Sequence, residues 1–243
     1  MRAAPLLELA QVTRRFGGLT ALSSVTFQVS EREIVGLIGP NGAGKTTLFN
    51  VITGVHRPDA GEVRIRGERV DRMAPYLIAR RGARRTYQIV RPFADMTVFE
   101  NLMVGALFGA QEGLEAAEAR ACEVAAFMGL AGREEDSARH LNLGEKKRLE
   151  IARALAGDPA LLLLDEALAG LTPREIDLAA GLICRIRDEL GKTIIIVEHV
   201  MRAIMAISDR IVVLHHGEKI ADGTPQEIRA DRRVVEAYLG ESV

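Results

Sequence analysis

The chain has 243 residues, enough for one large domain or a core plus a smaller subdomain. A net charge of -1 with 27% charged residues gives no global field that would gather nucleic acid, and none is expected as a partner. The richest apolar run, "ALLLLDEALAG" (160–170), carries two acids in its middle. No stretch approaches the ~18 apolar residues of a spanning helix, so a soluble chain is expected.

The opening "MRAAPLLELAQ" lacks the apolar length of a signal peptide. The next segments, "LLELAQVTRRFGG" and "LSSVTFQVSEREI", alternate and carry turns, which predicts a mainly antiparallel layer near the N-terminus. "GEVRIRGERV" (61–70) predicts a hairpin of that layer. Apolar, β-branched runs at 33–39, 161–166, 192–199 and 209–217 alternate with helical patterns. They predict parallel strands buried on both faces.

Between about Thr97 and Ala156 strand signals vanish. Leu114, Ala117, Ala121, Val124 and Met128 recur at helical spacing and predict one buried face. In "LNLGEKKRLEIARALA" (141–156), Asn142 and Glu145 predict a capping box ahead of Leu149, Ile151, Ala152 and Leu155. The tail predicts a turn and two short helices. Cys122 and Cys184 have no CxxC or Cys/His spacing and are expected as reduced core thiols.

The strongest chemical signal is "GPNGAGKTT": Gly39, Pro40, Asn41, Gly42, Ala43, Gly44, Lys45, Thr46 and Thr47. It fits G-x-x-x-x-G-K-[ST] and stands between an apolar strand and a helical pattern. Gly42 and Gly44 allow the turns that aim successive N–H groups at phosphate oxygens, and the following helix adds its positive end. Lys45 is expected to reach the β- and γ-phosphates and the Thr46 hydroxyl to ligate Mg2+. This motif alone leaves GTPase, kinase and ATPase open. Asp165, ending an apolar strand, is expected to hold the metal, and Glu166 to polarise an attacking water. No N-K-x-D motif occurs, which weakens the GTPase reading.

The order of these features resembles the ATP-binding cassette (ABC) family over essentially the whole chain. The resemblance implies an α/β fold: a P-loop NTPase core with a mainly parallel sheet, an N-terminal antiparallel β layer and an inserted α-helical subdomain. Core and β layer would take about 1–87 and 157–243, and the subdomain about 88–156. It implies ATP and Mg2+ as ligands, with Glu166 as general base. Gln88 matches the glutamine that contacts metal and water at the subdomain junction, and His199 matches the switch histidine. Phe16 matches the aromatic that stacks on adenine. Asn142 and Gly144 fall in the family's signature motif, which faces the nucleotide of a second, head-to-tail subunit.

Several stretches, among them "RFGGLTAL", "RPFADMTVFENLMVGA", "AGLTP" and "GEKIADGTPQEIR", are similar to the branched-chain amino-acid importer ATPases. Urea-importer ATPases share much of this pattern, and another transport ATPase or a non-transport cassette remains an alternative. The resemblance implies a second ATPase chain, two permeases, indirectly a solute-binding protein, and the cytoplasmic membrane face. Phe93, Met96, Val98 and Phe99 become candidates for the permease-facing surface. Three departures stand out: Ala167 in place of proline, Thr172 in place of an aspartate, and Asn142-Leu143 in place of Ser-Gly.

Overall fold

In the structure, a computed structural model, residues 5–87, 91–109 and 113–239 are described. Gln88 lies outside them.

The N-terminal half of the fold alternates strands and short helices. β1 (Leu7–Phe16) and β2 (Leu19–Val29) pair antiparallel, followed by β3 (Ile34–Ile38) and α1 (Lys45–Ile52). Then come β4 (Ala60–Ile65), β5 (Glu68–Arg69), α2 (Pro75–Arg80) and β6 (Ala83–Arg85). The helical stretch holds α3 (Val98–Leu107), α4 (Leu114–Phe127) and α5 (Leu143–Ala156), with α3 packed on both others. The remainder is β7 (Leu161–Asp165), α6 (Pro173–Asp188), β8 (Thr193–Val197), α7 (Met201–Ile207), β9 (Arg210–His215), β10 (Glu218–Gly223), α8 (Pro225–Ala230) and α9 (Arg232–Leu239).

Two sheets result. One runs β2-β1-β4-β5 and is antiparallel; the other runs β10-β9-β3-β8-β7-β6 and is parallel except at the β10 edge. All five residues of β3, of β7 and of β8 are buried. Their continuous apolar runs follow from having two cores to fill. Ile34, Leu162, Leu164, Ile194 and Ile196 face the helices α3 to α6, while Val35, Leu37, Leu161, Leu163 and Ile195 face the antiparallel layer and α1. Each such side chain contributes roughly 1.5–3 kcal/mol when fully buried.

Helix starts are chemically marked. Capping boxes form at Thr97/Glu100, Asn142/Glu145, Thr172/Glu175 and Thr224/Glu227, each satisfying backbone donors the helix itself cannot. Thr172 therefore serves as a cap where the resembled family places an aspartate.

Some expectations need correction. Leu114 is exposed, because it opens α4 ahead of the first turn that meets α3, whereas Ala117, Ala121, Val124 and Met128 are buried as expected. Cys122 is exposed and Cys184 only half-buried, so neither free thiol belongs to the deep core. Val98 is fully buried and Phe99 is half-buried against the core, while Phe93 and Met96 are exposed. The short strand β6 and the edge strand β10 went unread because "ARR" and "EKIADG" lack an apolar signature.

Candidate nucleotide site

The parallel sheet places its functional loops at neighbouring strand ends. The carboxyl ends of β9, β3, β8 and β7 lie side by side and lead into His216, Gly39, His199 and Glu166. Ligand sites of open α/β sheets form at such edges. A cavity of about 510 Å3 opens there, lined by Phe16, residues 41–47, Glu166, His199 and His216 among others.

The phosphate loop owes its shape to its glycines. Gly39 has φ +151°, and a Cβ there would lie 2.1 Å from the Leu214 carbonyl oxygen. Gly44 has φ +101° and would press a Cβ to 2.6 Å from the Ala21 carbonyl. Only glycine fits both backbone and space at these points. Gly44 is also the N-cap of α1, so the loop's N–H groups and the helix's positive end converge on the cavity. The buried Lys45 ammonium donates to the carbonyls of Gly39 at 2.5 Å and Pro40 at 2.8 Å. That brings its charge beneath the loop.

Phe16 stands at the other end of the cavity. The Arg14 guanidinium lies 4.6 Å from its ring centroid, and His56 meets it edge-on at 5.2 Å. Arg14 is held in turn by Asp59 at 3.1 Å. The ring is thus held by Arg14 and His56 while remaining 39% exposed at the cavity.

Glu166 and His199 meet directly, Oε1 to Nε2 at 3.1 Å. Glu166 adopts φ +51°, a conformation that costs a non-glycine residue on the order of 1–3 kcal/mol and requires support. Its N–H donates to the Val197 carbonyl at 2.9 Å, and its carbonyl accepts from Lys147 Nζ at 2.7 Å. Lys147 is buried, and burial pulls its pKa down against the opposing charges of Glu198, Glu150 and Glu166. The neighbouring Glu198 is 2% exposed and accepts from the Leu168 N–H at 2.5 Å. Its second oxygen, Oε2, has no hydrogen-bond partner, and burial pushes its carboxyl pKa up.

Asp165 is also tied down. Its Oδ2 accepts from Arg85 Nη2 at 2.5 Å, and its N–H donates to Thr86 Oγ1 at 3.2 Å. Arg85 also donates to Asn50 Oδ1 on α1 at 2.6 Å and lies over the rings of Phe49 and Tyr87. None of Arg85, Lys147, Glu198 and His216 figured in the sequence reading. Glu198 alone left a signal, an acid adjoining His199 at the end of an apolar strand.

Asn142 and Gly144 are elsewhere. They line a separate cavity of about 650 Å3 with Glu175 and Arg148, and do not join the chain's own phosphate loop. Asn142 Oδ1 accepts from the Glu145 N–H at 2.9 Å, and Glu145 returns the bond to the Asn142 N–H at 2.9 Å. That backbone donor, with Arg133 beside it, holds the Glu145 carboxyl below its ordinary pKa.

A glycine-rich phosphate loop flanked at neighbouring strand ends by Asp165, Glu166 and His199 defines a P-loop nucleotide-hydrolysing enzyme. The ABC transporter family model matches residues 22–169, and a model of the branched-chain amino acid ATP-binding cassette transporter matches residues 218–243. The chain is 42% identical to the high-affinity branched-chain amino acid transport ATP-binding protein BraF of Pseudomonas aeruginosa, covering 98% of this chain and 99% of BraF. It is 41% identical to LivG of Escherichia coli K12, described in the same terms, over 98% and 99%. The ADP conformation of MJ1267, an ATP-binding cassette of an ABC transporter, superposes with a TM-score of 0.89 at 29% identity, over 98% of this chain and 100% of that one. The chain belongs to the ABC transporter family, and it is an adenine-nucleotide-binding ATPase.

Proposed function

We propose that the chain is the ATP-hydrolysing, energy-coupling subunit of an importer for branched-chain or other hydrophobic amino acids. The observation that carries this reading is the near full-length likeness to BraF and LivG, together with the C-terminal match over 218–243. Residues of about 88–156 act as the helical subdomain, and the remainder as core and β layer.

In this reading adenine stacks on the free face of Phe16 while Lys45 and the N–H groups of residues 41–47 hold the phosphates. Glu166, oriented by His199, takes a proton from the attacking water. Thr46 and Asp165 supply one hydroxyl and one carboxylate, the hard oxygen donors that suit Mg2+. That set is too small for an all-protein cage and fits a metal shared with phosphate oxygens. A bound Mg2+ would neutralise charge on the transferring phosphate. Gln88 would add a further oxygen.

The subunit works as one of two ATPase chains placed head to tail, each presenting Asn142 and Gly144 to the other's nucleotide. That accounts for their separation from the phosphate loop of the same chain. The pair sits at the cytoplasmic face of the membrane; no helix among the described residues is long and apolar enough to cross it. Two permeases dock on the groove of about 420 Å3 lined by Tyr76, Tyr87, Phe93 and Phe108 among others.

Affinity purification of the tagged chain from native membranes, followed by uptake assays in vesicles, tests this reading. It predicts co-purified permeases, a second ATPase chain and ATP-dependent leucine uptake. Recovery without membrane proteins would overturn the transport role, and uptake of urea but not leucine would reassign the solute.

A further inference from the structure

Glu166 is held by its backbone as well as by its side chain. Its N–H is bonded to β8 and its carbonyl to Lys147, which belongs to α5. Lys147 lies three residues beyond Gly144, roughly 4.5 Å along the helix axis at 1.5 Å per residue. The helix end bearing Asn142 and Gly144 and the peptide bearing the catalytic carboxylate are therefore joined by one buried ammonium.

The bond is costly to form and costly to lose. An ammonium is strongly hydrated, and burying it requires acceptors and opposite charge nearby. Here the Glu166 carbonyl accepts at 2.7 Å, and Glu198, Glu150 and Glu166 supply the charge. Glu198 in turn holds the Leu168 N–H, two residues past Glu166. The loop after β7 is thus gripped from α5 and from β8 together. Grip of this kind is what a φ of +51° at Glu166 needs.

We propose that Lys147 is a positioning residue that ties the N-terminal turns of α5 to the Glu166 peptide, so that seating this helix against a partner's nucleotide sets the catalytic carboxylate of its own subunit. The proposal rests on the head-to-tail reading given above. Each ATPase chain then has a physical link from the site it helps to complete to the site it catalyses. The link stays within one chain, and that makes it separable from a signature contact acting across the dimer.

The test uses the assembled pair of ATPase chains with one catalytic glutamate disabled at a time. In the first arrangement Lys147→Met stands in a chain whose own Glu166 is intact, and the other chain's catalytic glutamate is replaced by Gln. In the second, Lys147→Met and Glu166→Gln share a chain beside an unaltered partner. Each is compared with the same pair carrying Lys147.

The expected result is turnover about tenfold slower in the first arrangement only, with ATP affinity kept and with Lys147→Arg restoring most of the rate. Equal slowing in both, or slowing in the second only, would overturn the proposal, because Lys147 would then act on the partner's nucleotide. Unchanged turnover in both would overturn it as well. Lys147→Gln, shorter and able to donate, provides the same comparison if the Met variant does not fold. A Lys147-bearing control pair that fails to assemble with ATP would instead remove the head-to-tail reading, before Lys147 is varied.

Discussion

Arg85 and Asp165 form a buried ion pair, Nη2 to Oδ2 at 2.5 Å, with side chains 5% and 3% exposed. The pair joins the short strand β6 to the carboxyl end of β7, and through Asn50 it reaches the phosphate-loop helix. Removing one member of a buried pair leaves the other charged and unsolvated, at a cost of roughly 3–5 kcal/mol. Arg85→Leu is therefore expected to lower unfolding stability by that order in urea titrations. Asp165 would also lose the partner that fixes its orientation, so weaker dependence of nucleotide binding on Mg2+ should accompany the loss. A stability change below about 1 kcal/mol would contradict this description of the pair.

Asn142 carries two duties that one substitution separates. As a cap it accepts from the Glu145 N–H, and Asn142→Ala should cost about 1 kcal/mol of stability. As a contact to a partner's nucleotide it should also slow ATP turnover in the assembled complex. An unchanged rate beside the stability loss would leave it as a cap alone.

Glu198 has a folded pKa raised by burial, against the opposing pull of the Leu168 N–H and Lys147. A carboxyl raised in this way favours folding most when protonated. Its contribution is fully present below the unfolded value of about 4.3 and is lost as pH rises through the folded value. Glu198→Gln should therefore flatten the fall in thermal stability over that window. Glu150, also raised by burial, keeps its own share of the slope. An unaltered slope in the variant would contradict a folded value raised by burial.

Phe16 offers a pinned ring with one face at the cavity. Phe16→Ala should weaken ATP binding by at least about two- to tenfold, since stacking contributes about 0.5–1.5 kcal/mol beyond area burial. Phe16→Tyr should keep it. Titration with a fluorescent ATP analogue measures both, and equal affinity in the Ala variant would exclude Phe16 from the base site.

What the sequence disclosed follows from how far apart the interacting residues lie. The phosphate loop, the run ending at Asp165 and the Asn142/Glu145 box are each contiguous, so residue type and spacing suffice to read them. The apolar runs of β3, β7 and β8 likewise announced burial on both faces. Arg85 was silent because its partner stands 80 positions away, and in isolation "ARR" reads as a solvated turn. Lys147 was silent for the same reason: only the fold carries it to a carbonyl 19 positions on. Leu114 fitted the helical period but fell at the helix start, where no neighbour covers it. The separation of Asn142 from Lys45 within one chain is a property of the fold that no local pattern encodes.

Glu166, placed by His199 at 3.1 Å, is the proposed general base of this ABC ATPase. Glu166→Gln measured in parallel for ATP binding and ATP turnover tests it most directly. The expected result is retained binding with turnover lowered by about 10²–10⁴-fold, the range a positioned base contributes. Turnover unchanged in that variant, with binding intact, would contradict it.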